Sequence, residues 1–294
     1  MADLESVLSR LDNLRRGRHR GEYAPHKPLL LLYALGRLSE GDDLVAYRDV
    51  DPVLRTLLRD FGPPRQTHHS EYPFWRLQND ELWQVTSKGQ LQSRASNKDP
   101  KKSELLNKGA VGAFAPDVKE VILADRRNLT TVARKLLEDY FPSTLHEDIL
   151  DAVGLSLDMA RGRPKRSRDF RQRVLRAYEN RCSVCGFDIR LGEKLAGLEA
   201  AHIMWHTADG PDEESNGLAL CVLHHKAFDL GAFTVDVDLR TIVCSQELSG
   251  TMTDWVLGYH GKGLRAPQSR RYFPEKQFVE WHRASRFRGP PRDL

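Results

Sequence analysis

Two pairs of metal-binding residue types occupy the C-terminal half of the chain. Cys182 and Cys185 are separated by two residues, and Cys221 and His224 repeat the same gap. Such a gap lets both side chains of a tight turn face one ion, and three thiolates with one imidazole form a closed tetrahedral zinc site. The spacing therefore predicts a structural Zn²⁺ held by these four residues. The remaining cysteine, Cys244, is expected to be a small core residue.

The residues between and just after these pairs are suited to hydrolysis of a phosphodiester. His202 follows a short apolar run that predicts a strand, and a neutral imidazole there could take a proton from water near neutral pH. His225 and Asp229 are four apart on a predicted helix, so both lie on one face and could hold a divalent cation. Asn216 cannot act as an acid or a base, and its amide is expected to cap a loop or orient its neighbours. Cutting of nucleic acid is the task that best explains this set.

The same residues resemble the HNH, or ββα-metal, endonucleases. The resemblance extends over the three signature positions and the zinc ligands, from Cys182 to Asp229. It implies that His202 is the general base, Asn216 the central asparagine and His225 a ligand of a catalytic Mg²⁺ or Mn²⁺. The zinc would only hold the fold.

One position departs from the family pattern. Many HNH endonucleases have an Asp or His metal ligand directly before the first histidine, whereas Ala201 fills that place here. Glu199 or Asp229 could supply the missing ligand. The alternative that the whole set belongs to a non-catalytic, zinc-containing DNA-binding regulator is disfavoured, because a pure binder has no need of a general base.

Composition limits the class of protein. The chain has 294 residues, enough for two domains, with 40% hydrophobic and 29% charged residues. No stretch has the apolar length of a membrane span, and the N-terminus lacks the features of a signal peptide. With three of its four cysteines assigned to a metal, the chain is expected to be cytoplasmic. A net charge of +4 permits a polyanion partner without requiring one.

Apolar periodicity and turn residues predict an α+β protein. Helical spacing occurs in residues 2–16, 24–38, 51–60, 116–140, 144–153, 168–180 and 274–287. Residues 72–77 and 82–86 are expected to be strands, joined in a hairpin at Asn79-Asp80. The predicted fold is a mainly helical N-terminal domain with a small sheet, followed by a ββα-metal HNH domain with its zinc knuckle.

Gly162 and Pro164 mark the expected domain boundary. We predict a DNA-recognition domain at 1–158, a basic linker at 159–168 and the nuclease domain at 169–294. Closely spaced arginines from Arg161 onward are expected to follow DNA phosphates.

Two N-terminal segments resemble the sulfur-binding domain of phosphorothioation-dependent restriction endonucleases, a domain that precedes an HNH module in that family. The matching pieces are Ala-Pro-His-Lys-Pro-Leu-Leu-Leu-Leu-Tyr-Ala-Leu-Gly, from Ala24, and Glu-Tyr-Pro-Phe-Trp-Arg-Leu-Gln, from Glu71. The resemblance implies the DNA-binding positions His26, Lys27, Ser70, Tyr72, Pro73 and Arg94.

The chemistry of a phosphorothioate suits these residue types. Sulfur in place of a non-bridging oxygen is larger, softer and poorly hydrated, while the group keeps its negative charge. Tyr72 and Pro73 offer an apolar wall, and Ser70 offers a hydrogen bond. The cationic surroundings would come from His26, Lys27 and Arg94.

The sequence thus predicts a type IV restriction endonuclease that binds phosphorothioate-modified double-stranded DNA and cuts nearby. A homodimer would supply the two active sites that a double-strand break needs, unless the strands are cut by two sequential nicks. The alternative target is methylated DNA, which usually requires an aromatic cage around a flipped base. Tyr72, Phe74, Trp75 and Trp83 could hide such a cage, although Phe74, Trp75 and Trp83 are expected to be core residues.

Overall fold

The computed structural model describes two compact units, Met1–Ala160 and Arg161–Leu294. The described residues are 3–14, 18–19, 22–23, 25–94, 97, 99–155, 168–192, 194–236, 238, 240–251 and 253–293. The predicted basic linker lies outside them, apart from the backbone of Arg168, and so does Ala24. Among the described helices, none has the length and apolarity required to cross a membrane.

The described part of the N-terminal unit is mainly helical with a small antiparallel sheet. Its helices are α1 (Leu4–Asp12), α2 (His26–Ser39), α3 (Tyr47–Phe61), α4 (Glu71–Arg76), α5 (Lys102–Asn107), α6 (Pro116–Ala124), α7 (Arg126–Tyr140) and α8 (His146–Ala152). Its strands are β1 (Arg18–His19), β2 (Glu22–Tyr23), β3 (Val45–Ala46), β4 (Trp83–Thr86) and β5 (Val111–Phe114). Strands β1 and β2 pair with each other, while β3, β5 and β4 form a sheet in that order.

Helix α2 is the centre of this unit. Its leucines are buried on all sides of the helix, which is the pattern of a core helix rather than a surface one. It packs against α3, α4 and α7. The prediction that the leucine block forms the N-terminal core helix is confirmed, and the first turn of this helix holds His26 and Lys27.

The predicted hairpin between residues 72–77 and 82–86 is wrong. The first of these segments is helix α4, continued by a 3₁₀ turn at Leu77–Asp80. Phe74 and Leu77, three apart, are both fully buried, so helical spacing places them on one inward face. Pro73 is tolerated because it lies in the first turn, where its missing N–H has no helical partner. The second segment is indeed strand β4, but it pairs with β5.

The predicted helix at 116–140 is divided at Asp125. This residue has extended backbone angles, and its carboxylate accepts a hydrogen bond from the Arg127 N–H at 2.8 Å. It is therefore the N-cap of α7, a role for which aspartate is strongly preferred.

The C-terminal unit contains a β-hairpin followed by a helix, the order that the sequence predicts for the nuclease domain. Its described helices are α9 (Arg168–Ala177), α10 (Val222–Asp229), α11 (Asp254–Leu257) and α12 (Lys276–Ser285). Its strands are β6 (Arg190–Leu191), β7 (Lys194–Leu195), β8 (Leu198–His202), β9 (Gly217–Cys221), β10 (Phe233–Asp236) and β11 (Thr241–Cys244). They form the antiparallel pairs β6-β7, β8-β9 and β10-β11.

The hairpin β8-β9 brings the ends of the predicted site together. Its register pairs His202 with Gly217 at one end and Leu198 with Cys221 at the other. Helix α9 packs on both strands, and a Cβ added at Gly217 would lie 2.4 Å from Val174 Cγ2. Only glycine permits this close approach of helix and strand. Cys244 is fully buried in β11, as predicted.

Candidate nuclease centre and DNA-recognition pocket

The four predicted zinc ligands converge. Their ligand atoms all lie within 4.8 Å of one another. Cys182 and Cys185 lie in the turn that follows α9, and this turn closes with a hydrogen bond from the Gly186 N–H to the Cys182 carbonyl. Cys221 ends β9 and His224 lies in the first turn of α10, which places the Cys221 sulfur 3.1 Å from His224 Nδ1.

The donor set fits a structural Zn²⁺. His224 Nε2 is 2.8 Å from the Trp255 carbonyl, which can only accept, so Nε2–H donates and the lone pair of the ring lies on Nδ1. That lone pair faces the sulfur atoms of Cys182 and Cys221, at 3.8 and 3.1 Å. Three thiols around one imidazole lone pair form the closed tetrahedral type of zinc site.

The predicted general base lies at the open end of the hairpin. His202 ends β8, and its Nε2 is 2.8 Å from the Asp212 carboxylate in the loop before β9. The ring stacks on Phe170 of α9 with centroids 4.0 Å apart and planes 13° apart. Only 15% of the His202 side chain is exposed, so the imidazole has a defined orientation at the edge of the unit.

His225 lies between two carboxylates. Its Nδ1 is 2.8 Å from Glu199 Oε2, and its Nε2 is 3.3 Å from Asp229 Oδ2. Asp229 is nearly inaccessible, with 1% of its side chain exposed, while Glu199 has 33% exposed. Trp205 Nε1 donates to the other oxygen of Asp229 at 3.1 Å. These three residues offer oxygen and nitrogen donors of the kind that divalent cations use at nuclease sites.

Asn216 is fully buried and holds a loop, one of the two roles that the sequence suggested for it. Its Oδ1 accepts from the Met204 N–H at 2.9 Å, and its Nδ2 donates to the carbonyls of Met204 and Pro211 at 3.0 and 2.9 Å. These bonds close the connection between β8 and β9 directly beside His202.

In the N-terminal unit, Tyr72 is the centre of a cationic aromatic cluster. The guanidinium carbons of Arg76 and Arg94 lie 4.6 and 5.2 Å from the centre of its ring, and the His69 ring centre lies 5.1 Å away. Pro73, the next residue, is buried. We call Tyr72, Pro73, Arg76 and Arg94 the Tyr72 pocket.

Arg94 is held by an acidic residue that the sequence did not single out. Its Nη2 is 3.2 Å from Glu71 Oε1, and the same oxygen lies 3.1 Å from His69 Nδ1. This hydrogen bond raises the pKa of Arg94. Nη1 of Arg94 is buried and has no hydrogen-bond partner among the described residues. A buried donor without a partner is costly, which marks this position as one that a ligand could satisfy.

The first turn of α2 carries less positive charge than the sequence predicts. Burial, followed by repulsion from Arg65, His68 and His69, lowers the pKa of His26 to about 4, so His26 is neutral at pH 7. The prediction of a cationic His26 is therefore wrong. Its Nδ1 is buried without a hydrogen-bond partner in the described part of the chain. Lys27 forms an ion pair with Asp80, whose side chain is 1% exposed.

The Ser70 hydroxyl lies inside the domain instead of at the surface where the sequence predicted a hydrogen bond to DNA. Ser70 is 0% exposed, its Oγ donates to Asp51 Oδ1 at 2.6 Å, and Tyr47 OH lies 2.9 Å from the same Oγ. We correct its role accordingly: Ser70 anchors the residue before α4 to α3.

Several residues that shape both sites were not identified from the sequence. They are Glu71, Arg76, Trp205 and Asp212. Arg76 follows Tyr72 by four residues, so reading the segment as a helix would have placed the two on one face. Asp212 lies in an irregular loop ten residues after His202, where no periodicity reveals its contact.

Comparison with known proteins gives two family matches. Residues 4–158 match the model of the ScoMcrA-like DNA sulfur-binding domain, and residues 182–236 match an HNH endonuclease model. No curated protein matches the chain.

Solved structures also resemble parts of the chain. The sulfur binding domain of ScoMcrA complexed with phosphorothioated DNA is 23% identical, with a TM-score of 0.43, covering 50% of this chain and 94% of that one. The corresponding domain of SprMcrA complexed with phosphorothioated DNA is 24% identical, with a TM-score of 0.43 over 52% and 95%. The modification-dependent TagI restriction endonuclease is 27% identical, with a TM-score of 0.30 over 45% and 41%.

The second family match makes the chain an HNH endonuclease in its C-terminal unit. Because the first match spans residues 4–158 of 294, more than half of the chain, the protein belongs to the ScoMcrA-like DNA sulfur-binding domain family.

Proposed function

We propose that this protein is a type IV restriction endonuclease that binds double-stranded DNA carrying a phosphorothioate and hydrolyses a phosphodiester bond near it. The observation that carries the proposal is the Tyr72 pocket, in which two guanidinium groups contact one aromatic ring, in a chain that also contains an HNH centre. A restriction enzyme directed by a modification needs one domain that recognises the modified DNA and another that cleaves it. Residues 4–158 and 182–236 match families of these two kinds.

The Tyr72 pocket offers the two features that a phosphorothioate requires, apolar surface for its sulfur and positive charge for its oxygen. The half-buried Tyr72 ring supplies apolar surface for the soft sulfur, which gains little from water, and the neighbouring Pro73 is buried in α4. Arg94 supplies charge for the remaining oxygen, and its buried Nη1 has no hydrogen-bond partner within the part of the chain that the structure describes. His26 contributes a neutral ring nitrogen instead of a charge. Lys27 pairs with Asp80, Arg76 with Asp99 and Arg94 with Glu71, so each of these charges is partly offset. The guanidinium groups of Arg76 and Arg94 are the cations that lie against the Tyr72 ring.

A pocket for a methylated base is less well supported. Phe74 and Trp83 are 0% and 2% exposed and pack edge to face with centroids 6.0 Å apart. Both are core residues, as expected, and are not available for a cage. Tyr72 and the half-buried Trp75 remain, and the two arginines beside Tyr72 suit an anion better than a neutral base.

In the nuclease centre, His202 acts as the general base. Its neutral ring takes a proton from a water molecule, whose oxygen attacks phosphorus opposite the leaving oxygen. The phosphorus–oxygen bond to the leaving nucleoside breaks, and that oxygen then acquires a proton from solvent. Phe170 keeps the ring plane fixed through stacking, so the basic nitrogen does not need to be reoriented during the reaction.

Glu199 and His225 are the proposed ligands of the catalytic Mg²⁺ or Mn²⁺. A bound divalent ion stabilises the negative charge that develops on the phosphate and leaving oxygens. Side chains alternate along a strand, so Glu199 shares a face of β8 with Ala201, the position where many family members carry a ligand. Glu199 also has the more exposed carboxylate, whereas Asp229 is buried behind His225.

Asp229 then orients His225 instead of binding the ion directly, which revises the role that the sequence suggested. The two ring nitrogens of an imidazole point apart, so one can face an ion while the other donates to a carboxylate. Trp205 holds that carboxylate in place through its own N–H.

Cleavage by the full-length protein of matched duplexes tests the proposal. One duplex carries a single Rp phosphorothioate and the other is unmodified, with Mg²⁺ or Mn²⁺ added. We expect cutting of the modified duplex alone, lost in Tyr72→Ala and retained in Tyr72→Phe, which keeps the aromatic wall. Equal cutting of both duplexes would refute sulfur-directed recognition, and methylated duplexes would then be the next substrates.

A second variant tests the cleavage step separately from DNA binding. His202→Ala should lower the cleavage rate by about 10²- to 10⁴-fold, the usual contribution of a general base, while binding of the modified duplex stays unchanged. Retained cutting by a folded, zinc-loaded His202→Ala variant would refute its assignment as the base. The products also show whether both strands are cut, and sedimentation on the modified duplex would show whether two copies assemble there.

A further inference from the structure

The His202 imidazole has a carboxylate partner that neither the family pattern nor the sequence identifies. Asp212 Oδ1 lies 2.8 Å from His202 Nε2. An ionised carboxylate has only acceptors, so His202 Nε2 carries the hydrogen of this bond. In the neutral ring the lone pair then lies on Nδ1. The contact thereby selects one of the two tautomers of the base.

The loop that carries Asp212 is held at three points. Asn216 Nδ2 donates to the carbonyl of Pro211 at 2.9 Å, directly before Asp212. Arg173 of α9 donates through Nη2 to the Asp212 carbonyl. At the other end, the Asn216 N–H donates to the Glu213 carbonyl at 2.9 Å. Because the loop is fixed on both sides of Asp212, the carboxylate is held in one position beside His202 Nε2.

We propose that Asp212, presented by the loop that Asn216 holds, is a positioning residue for the general base His202. Asp212 fixes the tautomer with its lone pair on Nδ1 and stabilises the imidazolium that forms when the base takes its proton. The proposal rests on the role of His202 in the proposed function. The Asn216 amide makes only loop contacts among the described residues.

The physical basis is the general one for an imidazole base oriented by a carboxylate. A carboxylate on one ring nitrogen keeps the other nitrogen unprotonated before the reaction and lowers the energy of the cation afterwards. An amide in its place can donate to Nε2, which favours the tautomer with the proton on the wrong nitrogen. Replacing the Asp212 carboxylate by an amide should therefore slow cleavage more than the loss of one surface ion pair would.

Other titratable side chains also lie near this pair. The His206 ring lies in an edge-type arrangement with the His202 ring, with centroids 6.0 Å apart. Arg173 reaches the loop from α9 and pairs with Glu214 at 3.3 Å, so its charge is partly offset. One face of the ring is covered by the uncharged Phe170. Asp212, at 2.8 Å from Nε2, is thus placed to act directly on protonation of His202.

The test is single-turnover cleavage of the Rp phosphorothioate duplex by the full-length protein across a pH series. Asp212→Asn should cut about 10- to 100-fold more slowly, the usual cost of losing an orienting partner. The acidic limb of its pH–rate profile should also move to lower pH, because without the negative charge the imidazolium forms less readily. Asp212→Glu, which restores the charge, should recover part of the rate and return the limb toward its original position.

Three controls separate the possible explanations. Glu213→Gln removes a charge from the exposed neighbouring residue and should leave both rate and profile unchanged. His202→Ala tells failure of this proposal from failure of the proposed function: if it still cuts, His202 is not the base. The Asn216→Ala/Asp212→Asn double variant should be no slower than the slower single variant, because two residues acting through one contact are not additive.

Two results would overturn the proposal. One is an Asp212→Asn profile that keeps its acidic limb, which would reduce Asp212 to a loop contact. The other is a shift in the Mg²⁺ concentration for half-maximal rate with an unchanged limb, which would make Asp212 a metal ligand. Zinc content and near-ultraviolet circular dichroism of each variant establish that it has folded. If Asn216→Ala does not fold, the comparison of Asp212→Asn with Asp212→Glu still tests the proposal.

Discussion

Ser70→Ala distinguishes a residue that touches DNA from one that builds the DNA-binding surface. Its hydroxyl donates to Asp51 at 2.6 Å, is 2.9 Å from the Tyr47 hydroxyl, and is completely buried. Ser70 directly precedes α4, which carries Tyr72 and Pro73. Removing the hydroxyl therefore acts on the support of the Tyr72 pocket, and its first effect should be on stability.

The size of the effect follows from the two contacts. A hydrogen bond to a charged group contributes about 1.5–3 kcal/mol, and a buried hydroxyl left without a partner costs about 1–3 kcal/mol. Tyr47 can recover part of its loss by moving toward Asp51, so we expect a total of about 2–4 kcal/mol. For a unit of this size, each kcal/mol lowers the melting temperature by about 2–4 °C, which gives a fall of roughly 5–15 °C.

Differential scanning calorimetry of the full-length protein measures this loss, and binding of the modified duplex is then measured well below the lowered melting temperature. We expect reduced stability with nearly unchanged affinity. Ser9→Ala, an exposed serine on α1, is the matched control and should change stability by less than about 0.5 kcal/mol. An unchanged melting temperature together with a loss of affinity for the modified duplex would refute the buried network and return Ser70 to the DNA surface.

Three further predictions follow from the sites. Cys182→Ser should abolish zinc binding and unfold the nuclease domain, since structural zinc contributes about 10–16 kcal/mol to folding; a zinc-to-protein ratio of one in a folded variant would contradict this. The pKa of His26 is about 4 in the folded protein and near 6.5 in the unfolded chain, so the unfolded chain binds more protons between these values. Stability of the N-terminal unit should therefore fall as pH drops through that window, by up to roughly 3 kcal/mol, and urea titrations of His26→Gln should show a flatter dependence. Gly217→Ala should destabilise the C-terminal unit by about 1–3 kcal/mol, because the new Cβ would overlap Val174; an unchanged urea midpoint would show that α9 can move away.

The sequence predicted those parts of the molecule that depend on local spacing. The two-residue gaps of the zinc ligands, the apolar strand before His202 and the four-residue interval between His225 and Asp229 are properties of one turn, strand or helix. The leucine block of α2 was predicted as core for the same reason, because burial on all sides leaves a continuous apolar run. Such features can be read without knowing what packs against them.

The segment at residues 72–77 shows where this approach fails. Its aromatic residues favour a strand by intrinsic preference, but the core accepts Phe74 and Leu77 only on one helical face. Tertiary packing thus overrides a weak local preference. The error also concealed Arg76, whose position beside Tyr72 depends on the helix.

The tertiary structure alone decided the electrostatics of both sites. Residue type suggested that His26 is a cation and Ser70 a donor to DNA, but burial makes the first neutral and commits the second to Asp51. The contact of Asp212 with His202 depends on the path of an irregular loop, which no periodicity encodes. Sequence therefore determined which chemical groups this protein has and which elements carry them. The fold decided which of those groups are charged, which are accessible and which face one another, because these properties depend on neighbours that are distant along the chain.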